Sequence, residues 1–207
     1  MLKRFQDLTW KVVNLVNPPT KTQRITRNAV VSRVILKNFM ESVIRMDLKG
    51  FFAGSLGEVS VRTSGGRFLI TPGDSPVCLL AEDSICTAAI EKEQEVGNEG
   101  FPHHLPWHRL IYKNTQAKAA MLCQPAYATL LANQLQKPKN DIFLEANSLV
   151  DQVQVALKED VEKIEMGDEG ILFIKNVGIL MWGASLSELL NRVEILERLS
   201  LLSMAGK

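Results

Sequence analysis

Histidine is scarce in this chain: there are three among 207 residues, all between positions 103 and 108. Neutral imidazole is the commonest nitrogen ligand for a protein-bound divalent metal, so the rest of the chain can offer a metal no imidazole at all. Cysteine is scarce too. Cys78, Cys86 and Cys123 form no CxxC pair and are odd in number, which excludes a disulfide framework. Three free thiols suit a reducing compartment, and a cytoplasmic setting is expected. Charge of one sign is also lacking. Lys and Arg total 24 against 23 Asp and Glu, a net charge of +1. That removes any bulk pull toward nucleic acid or anionic lipid, and no basic cluster carries interleaved aromatics. Every apolar run is broken by charge or proline before it could span a bilayer. The opening Met1-Leu2-Lys3-Arg4-Phe5-Gln6-Asp7 lacks a long apolar core and a cleavage site, and is read as mature protein rather than a signal peptide.

What the chain has is the composition of an ordinary globular domain, with 46% hydrophobic and 23% charged residues. Leu2 to Val16 has helical spacing and ends at Asn17-Pro18-Pro19, so residues 1–25 are expected to form a helical arm. A single domain is expected over 26–207. Helical periodicity returns from Thr26 to Arg45. Val59 and Val61 then alternate with polar residues, Ser64-Gly65-Gly66 gives a turn, and Arg67 to Thr71 reads as the return strand of a hairpin. Further strands are expected at Ser84–Ile90 and Ala117–Leu122. Helices are expected at Pro106–Lys113, Ala126–Leu135 and Ser148–Lys158. Gly170–Lys175 and Gly178–Trp182 are almost wholly apolar, as strands covered on both faces are. Ser185-Leu186-Ser187-Glu188 is a capping box ahead of a long helix. The alternation implies an α/β layered domain whose hairpin rules out a purely parallel sheet.

Gly57-Glu58-Val59-Ser60-Val61-Arg62 followed by Phe68-Leu69-Ile70-Thr71-Pro72-Gly73 resembles a signature of the class II aldolase/adducin family. His108 to Tyr112, Ala119 to Thr129, Gly170 to Trp182 and the closing helix from Ser185 resemble later family blocks, in family order over about Phe39 to Met204. The resemblance implies a three-layer α/β/α domain with a mostly antiparallel central sheet, a homo-oligomer (commonly a tetramer) and a sugar-phosphate-like ligand. It also implies a divalent metal, such as zinc, that stabilises an enediolate. The family's metal-binding imidazoles, however, fall on Leu122, Gln124 and Val177. Leu and Val have no lone pair to give, and an amide oxygen is a poor substitute.

The resemblance further places ligand contacts at Gly57, Glu58, Ser60, Thr71 and Gly73, and an acid–base carboxylate at Glu82. Glu58 stands where the family has Asn, and it is expected to repel a phosphate, as is Asp74. Leu122 and Val177 are expected to pack into the former metal cavity. His103, His104 and His108 read as a loop pair plus a packed histidine; the sharper alternative is a replacement metal site lacking an evident acidic partner. Cys123, with no base nearby in sequence, reads as a buried structural thiol. The function these readings favour is a metal-free, non-catalytic binding or oligomeric interaction module with no cofactor. The alternative is a carbon–carbon lyase with a rearranged site that uses Glu82 and draws a metal or oxyanion donor from elsewhere.

Overall fold

The computed structural model describes residues 33–73, 76, 79–91, 100–139 and 144–205. The expected arm over 1–25, Asp74 and Cys78 lie outside the described residues. Five α-helices and seven strands follow in the order α1 (Arg33–Leu48), β1 (Glu58–Thr63), β2 (Arg67–Ile70), β3 (Cys86–Ala89), α2 (Leu105–Asn114), β4 (Ala119–Cys123), α3 (Ala126–Asn133), α4 (Asn147–Asp151), β5 (Val153–Ala156), β6 (Gly170–Ile174), β7 (Gly178–Gly183) and α5 (Leu186–Ala205), among the described residues. The strands form one sheet in the order β3-β2-β1-β4-β7-β6-β5. Every neighbouring pair is antiparallel except β5 and β6.

The apolar strands separate cleanly by strand periodicity. Met121, Cys123, Ile179 and Met181 face one layer, where they pack with Phe39 and Val43 of α1, Leu131 of α3 and Leu189, Val193 and Leu196 of α5. Ala120, Leu122, Leu180 and Trp182 face the other layer, with Trp107, Ile111 and Tyr112 of α2 and Val161. Covering both faces is what makes β4, β6 and β7 hydrophobic at successive positions, as a solvated sheet face would not be. The result is the α/β/α sandwich expected from the sequence.

The main departure lies at Ser148–Lys158. Instead of one helix, the chain makes the short α4 and then β5, which adds to the sheet edge parallel to β6. Val153-Gln154-Val155-Ala156 buries Val153 and Ala156, and the β-branched valines gain more against β6 than in an isolated helical turn.

Two local devices hold the site's frame. Pro106 lies in the first turn of α2, where its missing N–H costs nothing, so it opens the helix carrying His108. Arg62 of β1 donates to the carbonyls of Tyr112, Thr115 and Ala117 at 2.6, 2.8 and 2.8 Å. Its guanidinium also lies 5.0 Å from the centre of the Tyr112 ring. These contacts collect orphan carbonyls at the end of α2 and fix the helix over β1.

Candidate functional site

A cavity of about 580 Å³ opens at one end of the sheet. Its wall is built from the chain around β1 (Ser55, Leu56, Glu58), Gly73, His103 and His104 ahead of α2, Gln124 after β4, residues 157–159, and the β6–β7 turn at residues 175–177. Gln124 and Val177, two of the three positions at which the family resemblance expects metal-binding imidazoles, line it. Leu122, the third, does not. It is fully buried, and β4 alternation aims it into the α2-side core beside Ile70 and Leu180.

Gln124 is committed as a strut. Its backbone N–H donates to the Phe51 carbonyl at 2.7 Å. Its side-chain oxygen accepts from the Ala53 N–H at 3.4 Å, and its amide nitrogen donates to the carbonyls of Leu56 and Val177 at 3.2 and 3.5 Å. One side chain thus ties together the loop before β1, the end of β4 and the β6–β7 turn. This donor set does not fit a divalent metal: a methyl-bearing side chain in the core, an isopropyl group at the rim, and an amide whose polar atoms are already used. Among the described residues, no group of three or more His, Cys, Asp or Glu is arranged to hold a metal ion. Val177 packs against the α2-side core, yet the cavity stays open rather than filling as expected.

Returning an imidazole to position 122 has a cost that follows from this placement. Leu122→His puts a polar ring into a site with no partner and removes packed methyls. It is expected to destabilise the fold by about 3 kcal/mol in urea unfolding and to confer no tight zinc binding by itself.

The polar centre of the pocket lies elsewhere, in a constellation the sequence does not reveal because its members are far apart in the chain. Glu58 of β1 is 4% exposed. Its Oε1 accepts from the backbone N–H of His104 at 3.1 Å and lies 2.7 Å from His104 Nδ1. Its Oε2 lies 3.5 Å from Nε2 of the fully buried His108. At that length the contact is electrostatic rather than a full hydrogen bond, and neither atom has a hydrogen-bond partner. His108 Nδ1 lies 2.7 Å from Ser60 Oγ, which lies 2.8 Å from the Tyr112 hydroxyl. The chain Tyr112–Ser60–His108–Glu58–His104 therefore runs from the α2-side core to the pocket wall.

Burial by itself pushes the Glu58 carboxyl up. The hydrogen bond from His104 and the nearby His104 and His108 rings outweigh that and hold it down at about 2. Glu58 is thus not the free negative charge the sequence suggested; two imidazoles face it. Burial drives the Tyr112 hydroxyl and the Cys123 thiol well above their ordinary values, with Glu197 adding to the effect at Cys123. The Cys123 sulfur contacts the Ile179 carbonyl at 3.6 Å, which suits an inert structural thiol.

The remaining expected positions divide. Gly73 lines the cavity, and its Cα would place a Cβ 2.6 Å from Pro102 Cα, so the chain before α2 lies directly on it. Thr71 faces the hairpin: its hydroxyl accepts from the Val59 N–H at 3.0 Å. Ser60 is enclosed in the His108 chain, and Gly57 packs under the Phe52 ring. Glu82 opens a one-turn 3-10 helix, is exposed and does not line the cavity. His103, His104 and Gln124 do line it, joined by Lys175 and Asn176 of the Gly170 to Trp182 block and by Lys158, which no sequence pattern marked. Asn176 sits at φ 60° with its N–H donated to Asn133 Oδ1 at 2.8 Å, which fixes the turn that presents Lys175.

The class II aldolase and adducin N-terminal domain model matches residues 37–203. The chain belongs to the class II aldolase and adducin family. It is 29% identical over 177 residues to L-fuculose phosphate aldolase of Methanococcus maripaludis strain C5, covering 81% of this chain and 94% of that one. It is 27% identical over 180 residues to the enzyme of the same name from Methanocaldococcus jannaschii, covering 83% and 98%. Among solved structures, the L-fuculose-1-phosphate aldolase of Thermus thermophilus superposes with a TM-score of 0.70 at 21% identity, over 83% of this chain and 94% of that one. A sugar-phosphate aldolase from Thermotoga maritima superposes with a TM-score of 0.67 at 22% identity, covering 84% and 94%. This class II aldolase-family chain therefore has the fold of its relatives.

Proposed function

We propose that this chain is a metal-independent, small-molecule-binding member of the class II aldolase family that does not cleave carbon–carbon bonds by the metal route. The observation that carries the reading is the fate of the ligand positions around a cavity that stays open. Leu122 belongs to the core, Gln124 braces three segments, and Val177 offers no donor. Without a Lewis acid, the negative charge of a retro-aldol transition state has no electrophile to receive it.

The ligand class follows from the lining. Lys158 and Lys175 bring two cations to the lining against the single carboxylate of Glu159, while the Glu58 carboxylate is faced by His104 and His108. That balance suits a small polar anion of the sugar-phosphate kind. A homo-oligomer, tetrameric by family resemblance, and a cytoplasmic setting belong to the same reading. Supporting an association surface, α1 leaves Ile44 39% and Leu48 83% exposed. No helix among the described residues is long and apolar enough to cross a membrane.

The test is metal analysis of natively purified protein, retro-aldol assay with fuculose and ribulose phosphates, and calorimetric titration with the same compounds. Substoichiometric metal, no cleavage and saturable binding are expected. One tightly held divalent ion per chain together with retro-aldol turnover would overturn the proposal. The alternative lyase reading built on Glu82 has no supporting geometry, since that side chain is exposed outside the cavity lining.

A further inference from the structure

Glu58 and His104 have a geometry that assigns the direction of both hydrogen bonds between them. The His104 backbone N–H can only donate, so Glu58 Oε1 accepts it. The same oxygen lies 2.7 Å from His104 Nδ1, which must then donate as well. In neutral imidazole one nitrogen carries the proton and the other a lone pair. With Nδ1 protonated, the lone pair is on Nε2. That atom has no hydrogen-bond partner among the described residues and is not one of the buried orphan atoms, and His104 lines the cavity. The ring is held in place by the Trp107 ring, with centroids 4.4 Å apart at 33°, and by the edge of His103 at 4.8 Å. Only 16% of the His104 side chain is exposed.

We propose that Glu58 and His104 form a metal-independent hydrogen-bond-accepting dyad, in which His104 Nε2 accepts a hydrogen bond from a hydroxyl group of the ligand in the cavity. No bond is broken: the ligand O–H donates to the Nε2 lone pair, and the Glu58 carboxylate, accepting from Nδ1–H, holds the ring in the tautomer that keeps this lone pair free. His104 touches the ligand; Glu58 acts through it as a positioning residue. The ligand class is therefore narrower than an anion: it must bear a hydroxyl within reach of His104. This rests on the proposed metal-independent reading of the cavity.

The first test is the tautomer. Long-range proton–nitrogen correlation spectra of histidine-labelled protein at a pH where His104 is neutral should show it protonated at Nδ1 and bare at Nε2. An Nε2–H form would overturn the dyad, and this measurement needs no variant. The second test is reactivity. Diethyl pyrocarbonate modification mapped by mass spectrometry should acylate His104, and Glu58→Gln should slow that about tenfold while leaving His103 unchanged. An equal rate at His104 in both proteins would overturn the positioning role. The third test is ligand class. Glycerol 3-phosphate should protect His104 from the reagent, whereas propyl phosphate, of like charge and size but without hydroxyls, should not. Equal protection by both, or by neither, would overturn the hydroxyl assignment. A tightly bound metal with retro-aldol turnover would defeat the metal-independent reading while leaving the tautomer result standing, so the two failures are distinguishable.

Discussion

Gly178→Ala is expected to destabilise the protein by about 4 kcal/mol in urea unfolding, the largest effect of any single methyl addition around the site. Gly178 opens β7 at φ 133°, where L side chains rarely go. A Cβ there would lie 2.4 Å from the Cys123 carbonyl oxygen and 3.1 Å from Gln124 Cγ. The first of these is backbone in the centre of the sheet, paired through Cys123 and Ile179, and it cannot swing aside as a side chain can. Relief would have to separate β4 from β7 at the cavity mouth and push Gln124 off the carbonyls of Leu56 and Val177. The variant should therefore also lose small-molecule binding under conditions where it is still folded. A cost below about 1 kcal/mol would show that the strand ends move apart freely and that the strut does not define the cavity.

Acid unfolding should be dominated by Glu58 between about pH 4.5 and 2. Its folded-state value is held below the ordinary 4.5, at about 2. The unfolded chain therefore takes up a proton first as pH falls. The stabilisation is fully present above the unfolded value and is lost as pH drops through the folded one. A fall from 4.5 to about 2 corresponds to about 3–4 kcal/mol at ~1.4 kcal/mol per pH unit. Glu58→Gln should remove most of this slope from the wild-type curve of stability against pH. At neutral pH it should cost about 3 kcal/mol, because His104 and His108 then face an uncharged amide across a buried gap. Chemical denaturation of both proteins from pH 2 to 7 reads the difference directly. Curves that run parallel would mean Glu58 exchanges its proton equally in the folded and unfolded chains, and that the pair with His104 contributes nothing.

The long apolar runs of β6 and β7, the hairpin of β1 and β2 and the capping box at Ser185 were legible because each signal is local. Glu188 completes that box: its N–H donates to Ser185 Oγ at 3.2 Å, and its side chain reaches back to the Ala184 N–H at 3.3 Å. The stretch after Ser148 misled because Leu149, Val150, Val153 and Leu157 match a helical period, while the decisive interaction, pairing with β6, is made by residues some twenty positions on. Glu58 misled for the same reason. Its sign was readable, but the imidazole that answers it stands 46 residues away.

The order of motifs and the chemistry of single positions were fixed before folding: an α/β/α scaffold, and Leu122, Gln124 and Val177 at the positions where the family resemblance expects imidazole. No folding can give Leu or Val a lone pair, or turn the Gln amide into an imidazole. Only the tertiary structure decided that Leu122 turns into the core while Gln124 braces an open cavity, and that Glu58 meets two histidines. Burial, register and close pairing across the sheet are properties of distance in space, which the spacing of residues along a chain does not encode.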